Sequence, residues 1–330
     1  YAIGRGSNKS LGSAFKMLSP EGTRWQYFRW VAYAGNYLLM MFYTMVAGWM
    51  LNYFVYSLTG QLSGKNVEQI GGEFNNMLST PSVMIFWTLV VVVISILVCS
   101  LGLQKGVEKI SKVMMILLFA LMIIMAVNSL LLDGSSEGLK FYLVPDFSKM
   151  KEQGIGNVVF AAMSHAFFTL GLGIGSMEIF GSYLSRDCKL TGESINVVIL
   201  DTVVALTAGI IIIPACFAYG INPGAGPSLL FITLPNVFNQ MPGGVIWEVL
   251  FFIFMAFAAL STVIAVYENI IAMTMDLFNC SRKRASLVNL FVIAVLSMPA
   301  VLGYNVLSGV QPLGAGTTIM DLEDFIVSYN

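Results

Sequence analysis

Charge is what this chain has least of: Asp, Glu, Lys and Arg make up 11% of its 330 residues, where about a quarter is usual in a water-soluble domain. Nor is there an excess of either sign, with 17 basic residues against 18 acidic ones. Binding to nucleic acid is thereby excluded, because it needs a basic face that displaces counterions from phosphates. Cysteine is sparse and unpaired in spacing: Cys99, Cys188, Cys216 and Cys280 form no CxxC, so neither a disulfide framework nor a thiolate metal site is indicated. Histidine occurs once, as His165. A single imidazole cannot build a metal cluster, and no nucleophile, base and orienting group stand together, so an enzyme is not expected.

What is abundant is apolar. Hydrophobic residues make up 57% of the chain, the mean hydropathy is +0.80, and several uncharged runs exceed the roughly 18 residues that mark a bilayer-crossing helix. The expected fold class is all-α, a polytopic integral membrane protein with about seven full transmembrane helices. The spans fall near 30–58, 81–103, 113–132, 157–183, 195–219, 245–277 and 286–307. Assigning each Lys and Arg to alternate sides tests this division. One side collects Arg5, Lys9, Lys16, Arg24, Arg29, Lys105, Lys109, Lys112, Arg186, Lys189, Arg282, Lys283 and Arg284; the other holds only Lys65, Lys140, Lys149 and Lys151. The basic side is expected to be cytoplasmic, in a plasma membrane. The chain opens on Tyr1, and YAIGRGSNKS reads as the polar exit of a hydrophobic element, while Asp321 to Asn330 reads as a helix just starting. A piece of a longer protein is therefore expected, and any leader peptide would lie outside it.

Two segments are unusual. Within the span 157–183, Gly171, Gly173 and Gly175 recur at every second position. Gly171 and Gly175 are four apart and could pack a neighbouring helix. Three glycines could equally unwind the helix and free backbone groups for a ligand, which at bilayer depth survives only beside a cavity. The loop 220–244 carries no charge and contains apolar LLFITLPNVF between turns; it is expected to fold back as a lid. Acids inside the spans are costly and need partners. Asp201 lies two turns into the fifth span, Glu178 follows the glycines, and Glu268 sits late in the sixth. Each is either satisfied by neighbours or faces a cation, a proton or a gate. His165 is a hydrogen-bonded structural residue or a proton relay, and the hydroxyls of Ser261 and Thr262 either bond back to their own helix or face an ion. Hydroxyl, carbonyl and carboxylate oxygens are what a dehydrated sodium ion requires.

The run Phe167-Phe168-Thr169-Leu170-Gly171-Leu172-Gly173-Ile174-Gly175, followed by Gly181-Ser182-Tyr183, resembles the broken sixth helix of the neurotransmitter:sodium symporters of the bacterial amino-acid transporter type. Phe42-Tyr43-Thr44 with Trp49 resembles the family's third helix, Ala258-Ala259-Leu260-Ser261-Thr262 its eighth, and Gly226-Pro227 through Thr233-Leu234-Pro235 its lidding outer loop. YAIGRGSNKS is similar to the end of the second helix, so the likeness runs from there to the start of helix 10. It implies a single transporter domain over 1–330, built from five-plus-five inverted repeats and incomplete at both ends, with a cytoplasmic loop over 1–29 and an outer lid over 220–244. It also implies an amino acid and sodium ions held at the midplane between broken helices, and no other cofactor.

By position, the resemblance gives Tyr43 the substrate carboxylate and makes Phe168 an aromatic gate over the substrate. Leu39, Gly171, Ile174, Thr262 and Val266 line the side-chain pocket. Thr169 and Asp201 become ligands of one sodium, and the Ala258 carbonyl with Ser261 and Thr262 ligands of a second. Gly171 stands where leucine-transporting relatives have serine, which favours a hydrophobic or aromatic amino acid. The acidic half of the outer gate falls to Asp321, Glu323 or, foremost, Asp324. Two departures matter: His165 replaces a glutamine near the anion site, and Asp201 replaces the asparagine of chloride-dependent members. A fixed carboxylate there implies chloride-independent transport. Helix 1, which completes the sodium sites, is not in this sequence, so the chain by itself is expected to be inactive. The competing expectations are a proton-coupled permease of the same fold, using Asp201 or Glu178, and a non-transporting degenerate relative.

Overall fold

A computed structural model describes residues 1–102, 107–221 and 226–328. Lys105 of the charge count, the last residue of the span expected at 81–103, and 222–225 of the outer loop lie outside the described residues. All regular structure among the described residues is helical. Two short helices, α1 (Ala2–Ser7) and α2 (Leu11–Leu18), precede the long α3 (Phe28–Leu58). Then come α4 (Val67–Ser79), α5 (Pro81–Ser100) and α6 (Lys109–Leu130), with the short α7 (Ser135–Leu143) and α8 (Phe147–Gln153) after them. The expected fourth span is split into α9 (Ile155–Thr169) and α10 (Ser176–Tyr183). The rest is α11 (Leu190–Ala218), α12 (Leu234–Gln240), α13 (Gly244–Phe278), α14 (Arg282–Leu296), α15 (Met298–Leu302) and α16 (Ile319–Ser328).

Six helical stretches among the described residues are long and apolar enough to cross a membrane, and they reproduce every expected span except the split one. Local chemistry sets their ends. Asn66 and Gln69 form a reciprocal capping box at α4, Pro81 occupies the first turn of α5 where its missing N–H costs nothing, and Asp146 caps α8 through the Ser148 and Lys149 amides. Helix α3 packs most extensively on α13 and α5. Gly48 permits the second contact, since a Cβ there would lie 3.0 Å from the Trp87 carbonyl carbon.

Because lipid gives no apolar driving force between helices, polar side chains and close packing must hold them together. Tyr33 bonds Tyr37 at 3.0 Å and Thr274 at 2.7 Å, Asn289 donates to Thr274 at 3.0 Å, and Tyr37 donates to Asn289, joining α3, α13 and α14. Outward faces carry exposed Phe86, Leu97, Ile116, Ile123, Phe291 and Val295, as helices solvated by hydrocarbon require. From residue 226 onward the uncharged loop turns back on the bundle, burying Phe231, Leu234 and Val237. Phe231 stacks on Phe74 at 5.2 Å and meets Tyr53 and Trp49 edge-on at 4.8 and 5.8 Å.

At the start of α4, outside the spans, Lys65 hydrogen-bonds Glu73 and holds its carboxyl below the ordinary carboxylate range. A depressed folded pKa stabilises at pH values above the unfolded pKa, and that contribution fades as pH falls through the folded value. Replacing Lys65 with methionine is expected to lower the Tm slightly near neutral pH and not at all in acid, which parallel melts of the two proteins would show.

Candidate functional site

Helix α9 stops because three glycines take left-handed backbone: φ is +60° at Gly171, +90° at Gly173 and +89° at Gly175. Residues with a Cβ avoid these angles. The packing alternative for these glycines is thus set aside in favour of unwinding. At Gly171 a Cβ would also come 3.2 Å from that of Ser176, so this glycine shapes the backbone as well as leaving room on the pocket wall.

The break lines a cavity of about 890 Å³. Leu39 and Tyr43 from α3, Phe168, Gly171 and Ile174 from the broken segment, and Thr262 and Val266 from α13 all face it, so the seven residues expected at the substrate share one space. The Tyr43 hydroxyl interacts with that of Thr262. Phe168, together with Leu39, Gly171 and Ile174, also lines a smaller cavity of about 250 Å³ that reaches Val327 and Ser328 of α16. His165 lines the larger one.

The oxygens expected around cations come together in two groups. Thr169, the last residue of α9, donates its hydroxyl to Asp201 Oδ1 of α11 at 2.9 Å. On α13 the Ala258 carbonyl accepts from Ser261 at 2.9 Å and from Thr262 at 3.2 Å. The back-bonded arrangement weighed for these hydroxyls is therefore the one observed, and it gathers the same three oxygens within one helical turn. Thr169, Ser261 and Thr262 line the larger cavity, and Asp201 and Ala258 are bonded to them. Hard cations bind to such neutral and anionic oxygens.

The sequence signature of the Sodium:neurotransmitter symporter family matches residues 73–311, and the sodium-dependent transporter YhdH of Bacillus subtilis is 35% identical over 328 residues. The chain belongs to this family. Symporters of this kind are membrane transporters and not enzymes. The match to YhdH covers 99% of this chain and 71% of that protein. A sodium-dependent transporter of Haemophilus influenzae is 32% identical over 306 residues, which are 91% of this chain and 66% of the relative. The crystal structure of MhsT in complex with L-phenylalanine superposes with a TM-score of 0.89 at 38% identity, covering 99% of this chain and 73% of MhsT. The chain spans about two thirds to three quarters of the length of these symporters.

Of the three acids considered for the outer gate, Asp321 caps α16 by accepting from the Thr318 amide and hydroxyl at 2.6 and 2.8 Å. Glu323 is buried without a side-chain partner. Asp324 accepts from Ser328 at 2.7 Å, beside the smaller cavity. Glu268 is a structural ion pair: Arg282 binds both of its oxygens, at 2.8 and 2.7 Å, and Tyr183 donates at 2.9 Å. Glu178 is buried with both carboxylate oxygens lacking a side-chain partner. Sequence reasoning missed two asparagines in this symporter, Asn36 and Asn269, which grip the unwound segment. Their spacing from the pocket residues is the signal that could have found them.

Proposed function

We propose that the protein carries a hydrophobic or aromatic amino acid across the plasma membrane together with sodium, by alternating access and without chloride. The observation that carries this reading is the larger cavity at the helix break, faced by all seven expected substrate residues and adjoining the Thr169–Asp201 pair. Its size and its mostly apolar wall suit a side chain such as that of phenylalanine, the amino acid bound in MhsT. In this reading Tyr43 takes the substrate carboxylate, Phe168 closes over it, and Leu39, Gly171, Ile174, Thr262 and Val266 surround its side chain. Thr169 with Asp201, and Ala258 with Ser261 and Thr262, hold the coupling ions. Asp324 is the acid of the outer gate, the segment 220–244 the outer lid, and the Arg- and Lys-rich side, including residues 1–29, the cytoplasmic one. Sodium drives the cycle to the extent that it binds one conformation better than the other.

Uptake of labelled L-phenylalanine by the full-length protein in proteoliposomes tests this. An inward sodium gradient is expected to drive accumulation, replacing sodium by choline to abolish it, and replacing chloride by gluconate to leave it unchanged. Loss of uptake without chloride would refute the idea that the Asp201 carboxylate supplies the compensating charge. Uptake that persists in choline and follows a proton gradient would favour proton coupling, for which Glu178, buried without a side-chain partner, is the candidate carrier.

A further inference from the structure

Unwinding between Thr169 and Ser176 leaves backbone groups without their helical partners, and each must find another inside the bundle. The Ile174 carbonyl finds two. Asn36 Nδ2 of α3 donates to it at 2.6 Å and Asn269 Nδ2 of α13 at 3.1 Å. The two amides also hold each other, Asn269 Nδ2 donating to Asn36 Oδ1 at 3.0 Å, while Asn36 spends its second N–H on the Ala32 carbonyl at 2.7 Å. Both asparagines are fully buried. All four amide N–H bonds are thereby used, and a carbonyl with two lone pairs is saturated.

The location gives this arrangement its consequence. Asn36, Leu39 and Tyr43 are spaced three and four residues apart, as are Thr262, Val266 and Asn269, so each triplet shares one helix face. Four of these six residues line the cavity, and the asparagines stand one turn beyond it on both helices. Ile174 itself lines the cavity, and its carbonyl is pinned by the two asparagines. The next residue, Gly175, takes φ of +89°, a left-handed backbone that residues with a Cβ avoid, so a side chain there would strain the segment beside the two asparagines.

We infer that Asn36 and Asn269 form a positioning latch that fixes the unwound segment, and with it the floor of the amino-acid pocket, through the Ile174 carbonyl. This rests on the substrate site proposed above. Without the latch, Ile174 loses its fixed place beneath the substrate side chain, so affinity falls most for the amino acids that reach the floor. Because both amides act through one carbonyl, losing either forfeits most of the effect.

The test is equilibrium binding of labelled L-phenylalanine to the full-length protein in detergent, with competition by alanine, leucine and tryptophan. Variants Asn36→Ala, Asn269→Ala and the double are each expected to weaken phenylalanine at least fivefold and alanine less, with the double no worse than twice the stronger single. A merely structural role would lower the Tm and the folded fraction but leave the affinity of folded protein, and its order of preference, unchanged. That result would overturn the latch. The Asn269→Asp variant covers the case in which alanine prevents folding: its side chain can donate to Ile174 only when protonated, so its affinity relative to wild type is expected to improve as pH falls. A flat ratio would count against the latch. A wild type that binds none of the four amino acids removes the substrate reading and the latch with it, whereas variants indistinguishable from a wild type that binds remove the latch alone.

Discussion

Replacing Asp201 with alanine in the full-length protein is expected to raise the sodium concentration for half-maximal uptake roughly tenfold or more, the scale of losing one hydrogen bond to a charged group together with the charge itself. The carboxylate stands within a membrane-spanning helix, where an acid persists only beside a partner. The partner observed is the Thr169 hydroxyl, at 2.9 Å. A hydroxyl satisfies one lone pair and none of the charge, which is what a cation at this position would compensate. Thr169 is also the last residue of α9 before the break, so an ion held by both residues would tie the first half of the broken helix to α11. Charge and hydrogen bonding can be separated at this position: Asp201→Asn keeps an oxygen for Thr169 and removes only the charge, so its sodium response should fall between alanine and wild type. An alanine variant with the wild-type sodium response would show that no coupling ion is bound here.

The helices could be read in the sequence because apolar runs and alternating basic connections leave few ways to cross a bilayer. Candidate pocket residues could be read for a different reason: the resemblance places them by position, and they fall on three short stretches with helical spacing. The glycines could not be decided in advance, since Gly171 and Gly175 satisfy both a packing spacing and an unwound one, and only the left-handed φ values separate the two. Partners across the fold were hidden for a simpler reason. Asn36 and Asn269 are 233 residues apart and Tyr183 and Glu268 are 85 apart, and nothing local marks them as neighbours. Glu268 could thus be seen as an acid needing a partner, but not as one that already had it.

Arg282 is where the largest loss of stability is expected. Glu268 has no exposed side-chain surface, and Arg282 grips both of its oxygens while also donating to the Cys99 carbonyl at 3.0 Å. Replacing Arg282 with methionine leaves the buried carboxylate with the Tyr183 hydroxyl as its remaining partner, and stranding a charge in this way costs roughly 3–5 kcal/mol. In a chain of this size that corresponds to a fall in Tm of roughly 4–7 degrees. Adding Glu268→Gln removes the stranded charge, and since a buried pair contributes little net stability over neutral residues of similar shape, the double variant should recover most of the loss. Melts of the three proteins in the same detergent check this, and a single variant as stable as wild type would mean that the Glu268–Arg282 pair does not hold the fold together. The pair also bears on the broken helix. Tyr183 is the last residue of α10, so its bond to Glu268 fastens the end of that half-helix to α13, as the two asparagines fasten its beginning. Losing Arg282 leaves the carboxylate without its bidentate partner, and that alters the acceptor that Tyr183 depends on. The single variant should therefore loosen α10 at its far end while leaving Ile174 held, seen as faster amide exchange near residue 183 than near 174, and the double variant should restore the protection.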